Sequence, residues 1–321
     1  MFKDKQITMA TLSESDWDAR MEEMAEESGY FEPLGRAHSV FFHDDTPTLL
    51  VTFESRAKIS ADDDGDQLPR GYQIARAAGC SSLTLICDHD SWFRDPAVFA
   101  YFDRLVDEAF FEDFDRVVFY GAGPCGYAAA AFSVTAPGAT VVALHPQATL
   151  DPKIAGWDQR FRQMRRTSFT DRYGFAPEML EGVGQAFVVY DPLQPFDAMH
   201  AALYARPCVS LLACRNIGKN IEQMLRGMGI LDDILIAACQ GELSEQRFWK
   251  LYRARRNLAR FLRQVSARLA SQNRTFLEAI ACRNVTRRLN GPRFRARLAV
   301  LEAELAEQGV TLPEPSQIGA Q

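Results

Sequence analysis

The chain has 321 residues, 47% apolar and 24% charged, a globular composition with enough apolar side chains for a sizeable core. Its net charge of −6 is uneven: positions 241–321 carry 15 Lys/Arg against 7 Asp/Glu, so the rest of the chain is strongly acidic. No apolar run approaches the ~18 residues of a membrane span, the start is polar, and the seven scattered cysteines contain no C-x-x-C, which together read as a cytoplasmic chain with reduced thiols and no membrane partner.

In chain order, positions 13–27 read as an acidic helix with Ser13 at its N-cap and Asp16 three residues on, ended by 29–33. The β-rich runs 39–43 and 48–53 flank a turn at 44–47 and read as a hairpin. A polar loop (61–67), a helix (70–78), a buried strand (82–87) and a helix (96–110) follow. Then DRVVFYGAGPCGYAAAA gives an apolar strand, a glycine turn and an alanine-rich helix reaching 136. Positions 140–144 form the next strand, and 146–185, rich in Arg, Asp, Gly and Pro, read as an insertion between core strands. Strands at 186–190 and 209–213 alternate with helices at 197–203 and 221–227. That alternation predicts an α/β fold with a mostly parallel, doubly wound sheet over positions 1–240. From Ser244 onward, apolar residues at helical spacing predict a basic helical extension, 241–321.

The glycine turn admits two chemistries. Gly121, Gly123 and Gly126, with Ala130, fit a dinucleotide fingerprint, in which glycines let the backbone approach a pyrophosphate at a helix N-terminus. That reading expects an acidic residue at the end of the next strand, where this chain has His145, and it expects the fingerprint to open its domain. Strand, sharp turn and helix also build the nucleophile elbow of hydrolases.

Several pieces in order carry a resemblance: VVFYGAGPCGYAAAAF, then HPQATLDP, GWDQRF, VVYDP and IGKN. The series resembles a bacterial α/β-hydrolase-like family met near polysaccharide genes, over roughly positions 35–240. The resemblance implies an α/β-hydrolase-like sheet with the nucleophile at Gly123, the acid at Asp191 and the base at Lys219, where the family pattern has Gly-His. Glycine has no side chain to attack with, and Pro124, at the position whose backbone N–H serves the oxyanion hole, has no N–H. The expected function is therefore that of a catalytically degenerate member, binding a small acidic or sugar-like molecule in an accessory role in carbohydrate or surface-polysaccharide handling. Should the triad geometry persist, Lys219 and Asp191 are expected to meet as an ion pair.

Cys125 is the one nucleophile in the turn. As a hydrolase nucleophile it needs a lowered pKa at the helix N-terminus, the Gly126 N–H for its oxyanion, and His145 or His200 as base. Arg160, Arg162, Arg165, Arg166 and Arg172 crowd the insertion and suit a phosphate, sulfate or acidic sugar, or else pair with Asp158, Asp171 and the acidic body. The loop SADDDG departs from a calcium loop at its first and last ligand positions, Asp88-His89-Asp90 alternates sides in extended chain, and His38 with His43 is no zinc set, so no metal is expected. No cofactor is expected either. Some chains of this general look are labelled phosphoadenosine phosphosulfate reductase, and a nucleotide-binding oxidoreductase of that kind at positions 121–126 stays an alternative, although the phosphate loop like S-G-G-K-D-S and the C-terminal E-C-G motif of such reductases are both missing. The basic helices match no nucleic-acid motif and read as packing or protein-partner helices over 241–307.

Overall fold

The computed structural model describes residues 13–61 and 67–313, without the side chains of Glu14 and Arg165. Eight strands form one sheet: β1 (Gly29–Leu34), β2 (His38–His43), β3 (Thr48–Ser55), β4 (Ser81–Cys87), β5 (Arg116–Ala122), β6 (Thr140–Leu144), β7 (Gln185–Tyr190) and β8 (Val209–Ala213). Their order is β1-β2-β4-β3-β5-β6-β7-β8. β1–β2 and β2–β4 are antiparallel and every other pair is parallel. This is the mostly parallel, α/β-hydrolase-like sheet. The central strands are continuous apolar runs because both faces are covered, and Leu49, Leu50 and Val51 are all fully buried.

Two expectations are corrected. The runs at 39–43 and 48–53 form no hairpin; β4 lies between them, pairing antiparallel with β2 and parallel with β3. The segment expected to end the first helix is itself β1, which pairs along its whole length with β2 at the sheet edge. Pro33 is tolerated there because an edge strand does not need every N–H in a ladder.

The helices are α1 (Glu14–Ala25), α2 (Arg56–Ser60), α3 (Arg70–Ala78), α4 (Pro96–Asp107), α5 (Pro124–Phe132), α6 (Pro152–Ala155), α7 (Pro195–Leu203), α8 (Ile221–Gly227), α9 (Leu231–Cys239), α10 (Glu245–Tyr252), α11 (Ala259–Ser271), α12 (Thr275–Arg288) and α13 (Pro292–Glu307). Ser13 caps α1, its Oγ accepting the Asp16 N–H at 3.2 Å. One core joins Val51, Phe53 and Phe119 to α4 and α5; the other joins Leu50, Val118 and Val142 to α3, α8 and α9. Phe248, Tyr252 and Phe261 of the extension belong to that second core, whereas α12 and α13 bury Ala279, Cys282, Phe294 and Leu301 in a cluster of their own. Among the described residues, no helix is long and apolar enough to cross a membrane.

The insertion holds only α6 and short 3-10 turns, and side-chain polar contacts, partly buried and partly exposed, tie it to the body. Arg160 forks onto Asp158 and reaches Asp197 at 2.6 Å, while His200 Nε2 meets Asp158 at 3.1 Å and His200 Nδ1 accepts the Ala148 N–H at 3.1 Å. Arg172 forks onto Asp103, with both contacts at 2.8 Å. Arg94 donates to the carbonyls of Ser168 and Arg172 and pairs with Asp171. The expected arginine cluster is thus dispersed. Arg160 and Arg172 are spent holding the insertion, Arg162 bonds to Gln159, Arg166 is exposed, and the Arg165 side chain lies outside the described residues.

Candidate functional site

β5 joins α5 through a sharp strand-to-helix turn at Gly123, whose backbone has φ 63° and ψ −123°. Glycine adopts it without steric cost. Gly121 is required for another reason. A Cβ there would lie 2.1 Å from the Cys125 carbonyl oxygen, so the strand end and the first turn of α5 touch backbone to backbone. At Gly126 the added atom would lie 3.0 Å from the Gly121 oxygen and 3.2 Å from that of Leu144. Packing of strand against helix therefore accounts for the spacing of the glycines. The Gly123 N–H is taken by the Leu144 carbonyl at 2.8 Å, and Pro124 has none.

His145 follows β6 with φ 38°, and its N–H bonds to the Val189 carbonyl at 2.7 Å. Its ring lies over Gly123, with Cε1 3.2 Å from where a Cβ would stand. The imidazole therefore crowds the place of a nucleophile side chain, and burial lowers its pKa, keeping it neutral.

Asp191 stands directly after β7, where a triad acid belongs, and is 1% exposed. Its carboxylate accepts the N–H groups of Leu193 (2.9 Å), Asn216 (3.3 Å) and Gly218 (2.8 Å). The acid grips the backbone of the loop after β8 instead of a base on that loop. Lys219 is exposed and, among the described residues, makes no ion pair with Asp191. The expected Lys219–Asp191 pair is absent: Asp191 is buried on loop backbone, whereas the Lys219 side chain stands in solvent.

Cys125 is 6% exposed, and burial pushes its thiol pKa up, with nearby Lys58 opposing too weakly to reverse the direction. The expected lowering at a helix N-terminus is overturned, because loss of solvent outweighs the helix field. His200 is no base for it, both ring nitrogens being committed to Asp158 and Ala148. Iodoacetamide at neutral pH is accordingly expected to leave Cys125 unmodified in the folded chain, with Cys208, the one partly exposed cysteine among the described residues, as the first to react. Peptide mass mapping checks this, and stoichiometric modification of Cys125 would contradict it.

Beside the elbow, a cleft of about 820 Å³ opens at the carboxyl edge of β3 and β5. Phe53, Glu54 and Ala122 form its floor, Lys58 and Arg70 one wall, Glu222, Arg226 and Asp232 the other, and Leu258 and Arg260 of the extension its rim. Tyr120 donates to Glu222 at 2.7 Å and Lys58 pairs with the same carboxylate at 3.4 Å. Glu54 accepts the N–H groups of Arg70 (2.8 Å) and Gly71 (2.6 Å), anchoring the start of α3. Arg70 pairs with Asp232. Arg260 donates to Gln223 at 2.7 Å and has no carboxylate partner among the described residues. None of these cleft side chains stands out in the sequence. They come from segments as far apart as Phe53 and Arg260, with only Tyr120 and Ala122 lying in the glycine-turn motif. Among the described residues no group of three or more His, Cys, Asp or Glu side chains could hold a metal ion.

No protein-family model matches the chain, and no curated protein does. Solved structures do resemble it. DphMB1 shares 15% identity over 66% of this chain and 84% of its own, with a TM-score of 0.43. The hyperthermophilic esterase from the archaeon Pyrobaculum calidifontis shares 14% over 71% and 92%, at 0.42. EstE1, a thermophilic carboxylesterase cloned from a metagenomic library, shares 12% over 73% and 99%, at 0.40. Scores this low carry no functional weight, and the α/β-hydrolase-like fold rests on the chain's own strand order and elbow.

Proposed function

We propose that this chain is an α/β-hydrolase-like protein whose elbow has lost its chemistry, and that its cleft binds a small acidic or sugar-like molecule in an accessory role in carbohydrate or surface-polysaccharide handling. The observation that carries the first half is Gly123 in the nucleophile conformation with the His145 ring crowding the vacant place. Around it the other parts fail together: Pro124 offers no N–H, and Asp191 serves loop backbone. Losing triad members costs many orders of magnitude in rate.

The cleft supports the second half. Its paired carboxylates and cations suit hydroxyl groups, Phe53 and Leu258 offer apolar contact, and Arg260 offers a guanidinium with no carboxylate of its own to an anionic substituent. Titration calorimetry with galacturonate, glucose 1-phosphate and glucose is the test. Binding of the two acidic sugars in preference to glucose is expected, weakened about tenfold in Arg260→Ala, the loss of one charge-assisted hydrogen bond. Failure of all three to bind would remove the ligand reading, and binding unaffected by Arg260→Ala would move it away from this cleft.

A further inference from the structure

A serine and a histidine meet elsewhere on the sheet edge. Ser91, in the loop after β4, places Oγ 2.6 Å from Nε2 of His38, the first residue of β2. The strands bring them together because β2 runs antiparallel to β4, setting His38 opposite Cys87. His38 is 3% exposed, and its other ring nitrogen, Nδ1, has no hydrogen-bond partner among the described residues. A buried polar atom left unpaired is uncommon and calls for a reason. Ser91 itself is half-buried, beside the exposed Asp88, His89 and Asp90. The two residues after it, Trp92 and Phe93, are both left-handed, with φ 59° and 57°, a costly arrangement for bulky side chains that is found at functional sites. The Phe93 N–H reaches Ser91 Oγ at 3.1 Å, while the Trp92 N–H has no partner among the described residues.

We propose that Ser91 and His38 form a nucleophile–base pair, separate from the elbow, that accepts an acyl group from an activated carboxylic ester. In this step Ser91 Oγ bonds to the ester carbonyl carbon as its proton passes to His38 Nε2. The carbon–alkoxide bond then breaks and that proton leaves with the alcohol. The Trp92 N–H, following the nucleophile, is the donor available to the oxyanion. Water, deprotonated by the same imidazole, releases the carboxylic acid and restores Ser91.

The test is exposure of the full chain to an alkyl fluorophosphonate, which transfers phosphonate to an activated serine with loss of fluoride, followed by peptide mapping. One adduct on Ser91 is expected, forming about a hundredfold more slowly in His38→Gln, which keeps a hydrogen-bonding amide but no base. An unmodified Ser91 in the wild-type chain overturns the proposal without recourse to any variant. So does undiminished labelling in His38→Gln chains whose circular dichroism matches the wild type.

Discussion

Gly121→Ala is expected to leave the chain largely unfolded, or at least about 4 kcal/mol less stable, a loss in the exceptional range for one substitution. The added methyl would stand 2.1 Å from the Cys125 carbonyl oxygen, 2.3 Å from its carbon and 2.7 Å from the Gly126 nitrogen. All three are backbone atoms, so no rotamer change relieves the clash, and α5 must lift from β5. That helix is buried along almost its whole length, with Tyr127, Ala128, Ala129 and Phe132 at 0% exposure, so lifting it opens the core between the sheet and α4. Gly123→Ala makes the contrast. Its cost is that of a left-handed non-glycine residue, about 1–3 kcal/mol, with a shift of a few tenths of an ångström by the His145 ring. Urea unfolding followed by circular dichroism measures both. The expected order follows from which atoms each added methyl meets: backbone that cannot yield at Gly121, and one movable imidazole ring at Gly123.

What was legible in the sequence follows from which interactions are local. β6, β8 and α8 lie where the apolar runs and helical spacing put them, because a β-branched run such as Thr140–Leu144 between turn residues has one good use. The turn after β5 and the place of Asp191 at the end of β7 were legible for the same reason, each being a strand with its terminus. Pairing was not. β4 enters between β2 and β3 from 26 positions beyond the end of β3, and nothing in the two earlier runs forecasts it. β1 was hidden because Gly29 and Pro33 look like helix punctuation when the partner strand is unknown. The position of Asp191 was legible, but the identity of its donors was not, since side chain and backbone donors on one loop cannot be told apart before the loop is built. Cys125 illustrates a balance of opposing terms. Position at a helix N-terminus is readable, burial is not, and burial wins. The cleft is the extreme case, with Lys58, Glu222 and Arg260 converging from three separate helices.

Asp158→Ala is expected to cost about 3 kcal/mol at neutral pH, within the range for breaking a buried ion pair by removing one partner. The Asp158 side chain is 0% exposed and accepts from His200 and from the Arg160 fork. Its removal leaves the buried His200 Nε2–H without an acceptor and Arg160 with Asp197 alone. Asp158→Asn, which retains an acceptor for His200, should lose less. The pH dependence fixes the mechanism. Burial by itself would raise the Asp158 pKa, but the hydrogen bonds from His200 and Arg160 outweigh it and hold the carboxyl below its ordinary value. A carboxyl depressed in the folded state contributes stability that is complete above its unfolded pKa, about 3.9, and that fades as pH falls below that value. The wild-type advantage over Asp158→Ala should therefore be constant from about pH 7 down to about pH 5 and shrink progressively below about pH 4, as the pH falls toward the depressed folded-state pKa. Urea midpoints taken across that range measure it. An advantage that grows toward acid would mean that Asp158 is held by shape and not by charge, and that Arg160 and His200 do not lock the insertion to α7.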